Sequence, residues 1–324
     1  MTSATMQLSP DRIQYLKKRK VQKGRAQFLL IVFGILSAAI FLGLLIATIA
    51  NAGSLFGQPS NPSQGNTPGT AHSAEYQSFS TLSSAKASGA LILVNSTHEY
   101  VFPQTEDNLV NIYNGRNPVG DSFSYKVSSS SLLLDSRALA ALNNMMDAFY
   151  TATGEKDAII TSAYRSKSDQ EKLNSDTKPG FSDFHTGYLV SVKVFDGNVT
   201  VELADKPVYS WLSENCYKYG FIIRYPAGKE AKTGVSDYTN TFRYVGVAHA
   251  AYIHEHNLCL EEYIELLHNY PYEGEHLNIT AGENTYEVYY IPASEENTTT
   301  IYRTEDAQVS GDNESGFIIT VSKN

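Results

Sequence analysis

Residues whose types could support chemistry cluster in the middle of this chain of 324 residues. Arg165 ends the run Ser162-Ala-Tyr-Arg, and its guanidinium can bind carboxylate or carbonyl oxygens through a fixed fork of donors. His185 lies within the stretch Gly180–Val192, and imidazole is suited to metal binding and to proton transfer. These residues predict a polar binding site or a metal site in this region.

A second cluster, His254-Glu255-His256, also contains the residue types of a metal site. It falls at the end of a predicted helix, where residues at positions i and i+2 do not share a face. We therefore interpret this cluster as a solvated helix end.

The apolar periodicity predicts the elements that must position these residues. Predicted helices cover residues 135–151, 168–175, 206–219, 248–256 and 260–267. Predicted strands cover residues 90–94, 158–161, 221–225 and 242–246, and a turn running into a strand covers residues 180–194. Because strands and helices interleave, residues 89–270 are predicted to form an α+β domain.

The last part of the chain, residues 271–324, has a different pattern. Its strand-like runs, such as Tyr286–Ile291 and Phe317–Val321, alternate with turn residues. We interpret it as a small β-rich appendage, and the sequence leaves open whether it stands apart or packs on the preceding domain.

The apolar segment Phe28–Ala50 sets the predicted topology, because it contains no charged residue. It is long enough to cross a hydrocarbon core of about 30 Å as a helix. Residues 1–27 form a basic tail, which the positive-inside rule keeps in the cytoplasm while the rest is exported. A signal peptide cleaved near Ala50-Asn51-Ala52 is the alternative, although its usual apolar run is only about 7–15 residues.

Residues 51–88 are rich in Gly, Ser, Pro, Asn and Gln, so they are predicted to form a flexible linker. The net charge of -9 argues against nucleic acid as a partner, because phosphate binding requires a basic surface. An exported domain could pair Cys216 with Cys259. Two cysteines define no disulfide framework, however, and we expect buried thiols.

Short stretches between residues 90 and 267 follow one another in a familiar order. They include Ser162-Ala-Tyr-Arg-Ser166, Pro179-Gly-Phe-Ser182, Tyr219-Gly-Phe-Ile-Ile-Arg-Tyr-Pro226 and Phe242-Arg-Tyr-Val-Gly246. Together they resemble the VanY-like D-alanyl-D-alanine carboxypeptidases of the lysostaphin / D-Ala-D-Ala metallopeptidase group. The resemblance implies a core with a small antiparallel sheet and flanking helices.

The resemblance also implies a zinc site, with the family pattern Ser-x-His-x-Thr-Gly-x-x-x-Asp followed by Glu-x-x-His before the Phe-Arg-Tyr strand. In this chain Phe184 and Ser191 replace the first ligand His and the ligand Asp. Tyr238 and Thr241 replace the catalytic Glu and the last ligand His. Phenylalanine has no lone pair, and neutral hydroxyls are poor zinc ligands. The sequence therefore predicts no zinc and no intact catalytic residue at these positions.

Some features of the degenerate site remain open to a structural check. We expect Phe184, Tyr238 and Thr241 to converge. His185 is the weak alternative as a relocated metal ligand, but on an extended backbone it would point away from position 184.

The resemblance places Arg165 in a substrate cleft, where it would contact the peptide. Ser162, Gln170 and Ser182 are predicted to lie in the same cleft. The competing interpretation is that Arg165 and Gln170 only brace the loop in which they stand.

Three hypotheses follow for function. The first is a membrane-anchored, extracytoplasmic pseudopeptidase that binds the stem peptide of peptidoglycan or a cell-envelope protein. The second is an active carboxypeptidase with a rebuilt zinc site that uses His185. The third is an interaction protein that acts through the β-rich appendage, residues 271–324.

Overall fold

The computed structural model of this protein describes residues 76–105, 107–173, 175–236 and 238–323. The predicted transmembrane helix Phe28–Ala50 and most of the predicted linker lie outside these residues. Within the described ranges, no helix has both the length and the apolar character that crossing a membrane requires.

Six α-helices occur in the described residues. The longest, α1, begins after Asp135, whose side chain accepts a hydrogen bond from the backbone N–H of Arg137, and it ends at Gly154 in the left-handed region. The predictions at residues 135–151 and 260–267 match observed helices closely. The helices are α1 Ser136–Thr153, α2 Lys167–Glu171, α3 Ser210–Asn215, α4 Glu230–Thr233, α5 Val247–Glu255 and α6 Leu260–Leu267.

Sixteen strands are formed by the described residues, and the predicted strand at residues 221–225 is observed with the same bounds. They are β1 Gln77–Leu82, β2 Leu109–Asn111, β3 Pro118–Val119, β4 Ser122–Phe123, β5 Lys126–Val127, β6 Leu133–Asp135, β7 Ala158–Ser162, β8 Leu189–Asp196, β9 Val199–Val201, β10 Phe221–Tyr225, β11 Tyr238–Tyr244, β12 Leu277–Ala281, β13 Asn284–Pro292, β14 Thr298–Arg303, β15 Gln308–Gly311 and β16 Gly316–Ser322.

The central sheet has six strands in the order β10-β11-β8-β7-β5, with β9 paired to β8. All of its pairs are antiparallel except β5 with β7. One face packs on α1 through a core that includes Val190 and Val192 from β8 and Met146 and Phe149 from α1. The α+β prediction is thus confirmed, and the opposite face of β8 is left for the candidate site.

A second core joins α5 and α6 to a four-stranded antiparallel sheet, β12-β13-β16-β15. Val288 and Tyr290 of β13 enter this core, whereas Tyr289 and Ile291 enter a third apolar cluster on the other face of the sheet. The strands of residues 271–324 therefore pack against the helices that precede them. Their removal would expose apolar surface on α5 and α6.

The last part of the predicted linker 51–88 forms regular structure. Strand β1 pairs with β14, and a 3₁₀ turn, Ser83–Ala87, follows it. This turn lies so close to β15 that a Cβ added at Gly311 would stand 1.9 Å from the carbonyl oxygen of Lys86. Pairing with β14, which is distant in sequence, stabilises β1 although the local composition does not favour a strand.

Two predicted elements differ from those observed. Residues 91–94 are buried but form no strand, because separate groups satisfy their backbone: Arg243 donates to the carbonyl of Ile92, Asn313 donates to that of Leu93, and the Leu93 N–H donates to the Asp312 carbonyl. The predicted helix 206–219 is divided into 3₁₀, α and 3₁₀ segments. At its break the Asn215 amide donates to the Trp211 carbonyl, which competes with the helical ladder.

Both cysteines are free and buried, as expected. Burial raises the pKa of Cys216 to about 12 and that of Cys259 to about 11. The two thiols are therefore held in their neutral form.

A buried ion network links the two cores. Asp183 contacts Arg224 at 2.5 Å and Arg243 at 3.3 Å, and all three side chains are fully buried. Arg224 also forms two hydrogen bonds with Glu261 of α6, at 2.7 and 3.0 Å. The two positive and two negative side chains thus balance in charge. Burial alone would lower the pKa of Arg224, but the nearby carboxylates of Asp183 and Glu261 have the larger effect and raise it.

We expect Asp183→Asn to reduce the free energy of unfolding by about 3–5 kcal/mol, because it leaves a buried positive charge uncompensated. Chemical denaturation of the full-length chain measures the effect. Asp306→Asn, at an exposed position, is the matched control and should change stability by less than about 0.5 kcal/mol. An Asp183→Asn protein as stable as the control would show that the network does not stabilise the fold.

A buried histidine should make the stability of the fold depend on pH. His249 of α5 contacts the Tyr263 hydroxyl at 2.7 Å and the Thr320 hydroxyl at 3.0 Å, and burial lowers its pKa to about 3. The unfolded chain takes up this proton near pH 6.5, whereas the folded chain does not. Stability contributed by neutral His249 is therefore present above pH 6.5 and is lost as the pH falls toward 3.

As the pH falls from 6 to 4, protonation of His249 in the unfolded chain should lower the free energy of unfolding by up to about 1.4 kcal/mol per pH unit. Urea titrations across this range should show a shallower pH dependence for His249→Gln than for the parent. His256→Gln, which changes an exposed histidine, should keep the parent slope. Equal slopes in all three proteins would contradict the assignment.

Candidate functional site

The stretch that carries the family pattern folds as a 3₁₀ turn, Asp183–Thr186, followed by Gly187 and strand β8. Gly187 has a φ of 73°, and a Cβ at this position would lie 2.8 Å from the Leu109 side chain. Both the left-handed backbone and the close approach require glycine. This turn directs neighbouring side chains to different sides of the stretch.

A row of three hydroxyl residues crosses the central sheet. Ser191 of β8 is directly opposite Thr241 of β11 and Ser162 of β7. Directly opposite residues in antiparallel pairs lie on the same face, so the three side chains share one face of the sheet. Ser191 and Thr241 are buried, and Ser162 is half-buried. The positions that hold two metal ligands in the family pattern are thus adjacent, but they present hydroxyls.

Phe184 and Arg165 lie together in a cavity of about 550 Å³. The Arg165 guanidinium carbon lies 4.6 Å from the centre of the Phe184 ring, in cation–π contact. Burial lowers the pKa of Arg165, but an arginine side chain keeps its charge at neutral pH. Phe184 therefore forms an apolar wall beside a cation.

Gln170 orients Arg165 from behind the cavity. Its Oε1 accepts a hydrogen bond from Arg165 Nη1 at 2.7 Å, and its Nε2 donates to the Thr177 carbonyl at 2.8 Å. Gln170 is buried and does not line the cavity. It thus braces the loop, as the competing interpretation held, while Arg165 faces open space.

The structure brings together only some of the predicted site residues. Ser182 lines the cavity with Arg165 and Phe184. Thr241 and Tyr238 do not line it, and the Tyr238 residue is 44% exposed at the start of β11. The three side chains predicted to converge therefore do not share one cavity. The pairing of β11 with β10 is irregular between Tyr238 and Phe242, so the regular strand spacing is not kept between positions 238 and 241.

His185 uses both of its ring nitrogens to hold the backbone. Nδ1 lies 2.6 Å from the Arg165 carbonyl oxygen, and Nε2 accepts the N–H of Gly180 at 3.1 Å. The carbonyl can only accept, so Nδ1 carries the proton. Burial lowers the pKa of His185, which keeps the ring neutral, and its ring packs near Tyr100 and Phe102. No ring nitrogen is left for a metal.

The family's zinc does not fit the residues at this place. Zinc in such sites takes imidazole, carboxylate or thiolate ligands. The adjacent pair Ser191 and Thr241 offers neutral hydroxyls, and Phe184 offers no donor. The Thr241 hydroxyl instead lies 3.4 Å from the Asn240 side-chain oxygen. The arrangement therefore supports binding of a ligand.

The cavity includes residues that the sequence did not indicate. Lys178 and Asp176, from the loop after α2, add charged groups at its rim, and Asn95 and Ser96 approach from the N-terminal side. No periodic pattern marks such loop residues. The signal available was the collinear Pro179-Gly-Phe-Ser182 piece beside them.

We expect His185→Ala to destabilise the protein by about 2–4 kcal/mol, because two buried hydrogen bonds and two ring contacts are lost. Denaturant unfolding measures this loss, and elemental analysis should find the same metal content as in the parent. His256→Ala is the matched control and should be nearly neutral. A lower zinc content in His185→Ala alone would show that this histidine is a ligand.

Comparison with known proteins supports the family indicated by the sequence motifs. The family model VanY, D-alanyl-D-alanine carboxypeptidase, matches residues 131–247. A D-alanyl-D-alanine carboxypeptidase of Enterococcus faecium is 27% identical over 239 residues, which cover 72% of this chain and 75% of the relative. The bifunctional D-Ala-D-Ala dipeptidase and D-Ala-D-Ala carboxypeptidase VanXYC of Enterococcus gallinarum is 31% identical over 135 residues, covering 36% of this chain and 71% of that protein.

A solved structure gives the same result for the fold. The vancomycin resistance D,D-dipeptidase VanXYg, in complex with a D-Ala-D-Ala phosphinate analogue, superposes with a TM-score of 0.64 at 22% identity. The likeness covers 76% of this chain and 99% of that chain. In sequence and in fold, this chain belongs to the VanY family of D-alanyl-D-alanine carboxypeptidases.

Proposed function

We propose that this protein is a pseudopeptidase of the VanY family, which binds the D-Ala-D-Ala end of a peptidoglycan stem peptide without hydrolysing it. The observation that carries the proposal is the pairing of an oriented Arg165 with Phe184 in one cavity, where the family pattern has a zinc ligand. The relatives are D-Ala-D-Ala carboxypeptidases, which supports a ligand from the cell wall.

Retention of the binding group supports recognition of a peptide. Arg165 is held by Gln170, so little side-chain entropy is lost when its remaining donors bind a carboxylate or a carbonyl. Lys178 adds a second positive group at the rim of the same cavity, and with Asp176 as the one acid among the described lining residues, the lining keeps an excess of positive charge. A peptide that ends in a free carboxylate would match this charge, and Phe184 would contact an alanine methyl group.

Loss of the reactive groups supports inactivity. Family hydrolysis needs a Lewis acid to polarise the carbonyl and generate the nucleophile, and a general base to move protons. Hydroxyls at positions 191 and 241 and the ring at position 184 supply neither function. Tyr238, in place of the general base, is exposed and lines no part of the cavity.

Export and anchoring are the second part of the proposal. The uncharged segment Phe28–Ala50 and the basic residues before it support a single membrane span, with the N-terminus in the cytoplasm. The peptidase-like domain would then lie outside the plasma membrane, where peptidoglycan is found. Protease protection in intact cells and in lysed cells would test this orientation.

The alternatives gain less support. An active site rebuilt on His185 would need a ring nitrogen that the backbone already occupies. An interaction role for residues 271–324, with a cell-envelope protein as partner, cannot be tested by deleting them, because their strands cover the apolar faces of α5 and α6. Substitutions at exposed positions of β14 and β15, such as Tyr302→Ser, avoid this difficulty.

Calorimetric titration with a synthetic peptide ending in L-Lys-D-Ala-D-Ala should show binding to the full-length chain. Arg165→Ala should weaken it about 10-fold or more, because a hydrogen bond to a charged group is lost. Arg116→Ala is the matched control, since Arg116 contacts the rings of Tyr113 and Phe123 away from the cavity, and should bind as the parent does.

Release of D-alanine is measured in the same samples with excess zinc, and none is expected above the buffer rate. Zinc-dependent turnover by the parent protein would overturn the proposed inactivity. Equal peptide affinity for the parent and Arg165→Ala would overturn the proposed binding mode.

Restoring the family residues tests the same idea from the other direction. Ser191 and Thr241 are register partners, so the combined substitution Phe184→His, Ser191→Asp, Thr241→His and Tyr238→Glu should bind one more zinc ion than the parent and release D-alanine. The same protein with Ser191→Asn is the control and should lack activity. A restored variant that folds and still fails to gain zinc would contradict our account of the lost ligand positions.

A further inference from the structure

A cluster of two histidines and two acids lies outside the family's site. It is formed by His98 of the loop before β2, by His268 just after α6, and by Asp312 and Glu314 of the turn between β15 and β16. Potential ligand atoms of His268, Asp312 and Glu314 all lie within 4.8 Å of one another. The three segments that supply these residues are distant in sequence, so only the tertiary fold brings them together.

The distances fit a shared cation. His98 Nε2 lies 2.7 Å from Glu314 Oε1, and His268 Nε2 lies 3.0 Å from Asp312 Oδ2 and 4.0 Å from Glu314 Oε2. Ligands placed about 2.0–2.2 Å from a tetrahedral zinc ion stand roughly 3.3–3.6 Å apart. The observed separations bracket this value, so small side-chain rotations of His268, Asp312 and Glu314 would bring their ligand atoms to one centre. Within the cluster His98 pairs with Glu314 Oε1, so it completes the site by turning from that carboxylate toward the ion.

The protonation of His98 is set by its neighbours. Asn95 Oδ1 accepts the backbone N–H groups of Thr97 and His98, which identifies this atom as the oxygen. The same oxygen lies 2.9 Å from His98 Nδ1, so that nitrogen carries the proton. Nε2 is then the nitrogen that faces the Glu314 carboxylate, at 2.7 Å. Two acceptors at this distance repel each other unless a positive charge, a proton or a metal ion, lies between them, and an imidazole oriented in this way is the usual form of a metal ligand.

Asp312 is also held in place by its surroundings. Its Oδ1 accepts hydrogen bonds from the backbone N–H groups of Glu314, Ser315 and Gly316, at 2.7–3.0 Å. The carboxylate is completely buried, and its Oδ2 faces His268. The other three ligands are 27–29% exposed, which leaves a path for an ion to enter. The nearby Lys86 ammonium donates to the Glu314 backbone carbonyl. The side-chain carboxylate of Glu314 therefore remains available to the histidines.

We propose that His98, His268, Asp312 and Glu314 form a structural site for a divalent transition-metal ion of the zinc type. Two imidazoles and two carboxylates suit zinc, whereas magnesium and calcium prefer oxygen ligands alone. A bound ion would join the loop 95–99, the end of α6 and the C-terminal sheet. Because Asn95 both orients His98 and lines the Arg165 cavity, the ion would also fix one wall of that cavity.

The test uses the full-length chain without a histidine tag, stripped of metal with a chelator. Zinc titration by calorimetry should show one site, and zinc should raise the unfolding temperature. Glu314→Gln and His268→Gln should each weaken zinc binding at least about 100-fold. His256→Gln, which changes an exposed histidine at the end of α5, is the matched control and should bind zinc as the parent does.

Cobalt(II) gives a second readout, because its visible absorption depends on its ligands. The parent should show a d–d band that His98→Gln and Glu314→Gln lose, while both variants keep the metal-free unfolding temperature of the parent. Absence of zinc binding, binding that survives both substitutions, or preferential binding of magnesium or calcium would overturn the proposal. Arg165→Ala should leave zinc affinity unchanged, so this result stands or falls separately from peptide binding.

Discussion

The buried contact of Asp183 with two arginines is the constraint on which the rest of this structure depends. Arg243 crosses from β11 to the carbonyls of Ala90 and Ile92 and to the Thr186 hydroxyl. Arg224 reaches from β10 to Glu261 of α6. One carboxylate thus fixes the turn that carries the family pattern against both cores. Removing any one partner would leave an unpaired buried charge. The free-energy cost of such a charge keeps the turn in this arrangement.

That rigidity explains how the fold can persist where the reactive groups have changed. The ion network lies beside the family's metal positions but needs none of them, because its charges balance among themselves. Substitutions at positions 184, 191 and 241 therefore alter the chemistry of the site without touching the groups that hold the turn. The hydroxyls of Ser191 and Thr241 also fit a buried face of the sheet better than unpaired carboxylates would, since burying a charge without a partner is costly. The fold can thus be retained while the residues at these positions differ, which is compatible with the binding without hydrolysis that we propose.

The C-terminal strands are also connected to the rest of the fold. They share a core with α5 and α6, they accept β1 from the other end of the chain through β14, and their β15–β16 turn meets the loop 95–99. The region resembled an appendage in sequence because its strand pattern differs from that of the preceding domain. In three dimensions it is one side of the second core, so changes in that turn can reach the cavity through Asn95.

The sequence by itself determined the elements whose signals are local. Helix α1, strand β10, helix α6 and the replaced residues of the family pattern could all be read from spacing and residue type. Only the tertiary structure decided what depends on distant partners. It shows that residues 91–94 are held by irregular contacts instead of a strand, that His185 is occupied by the backbone, and that Tyr238 does not line the cavity that contains Phe184. Local periodicity carries no information about these contacts, because they depend on three-dimensional geometry and most of the partners lie 20 or more residues away in the chain.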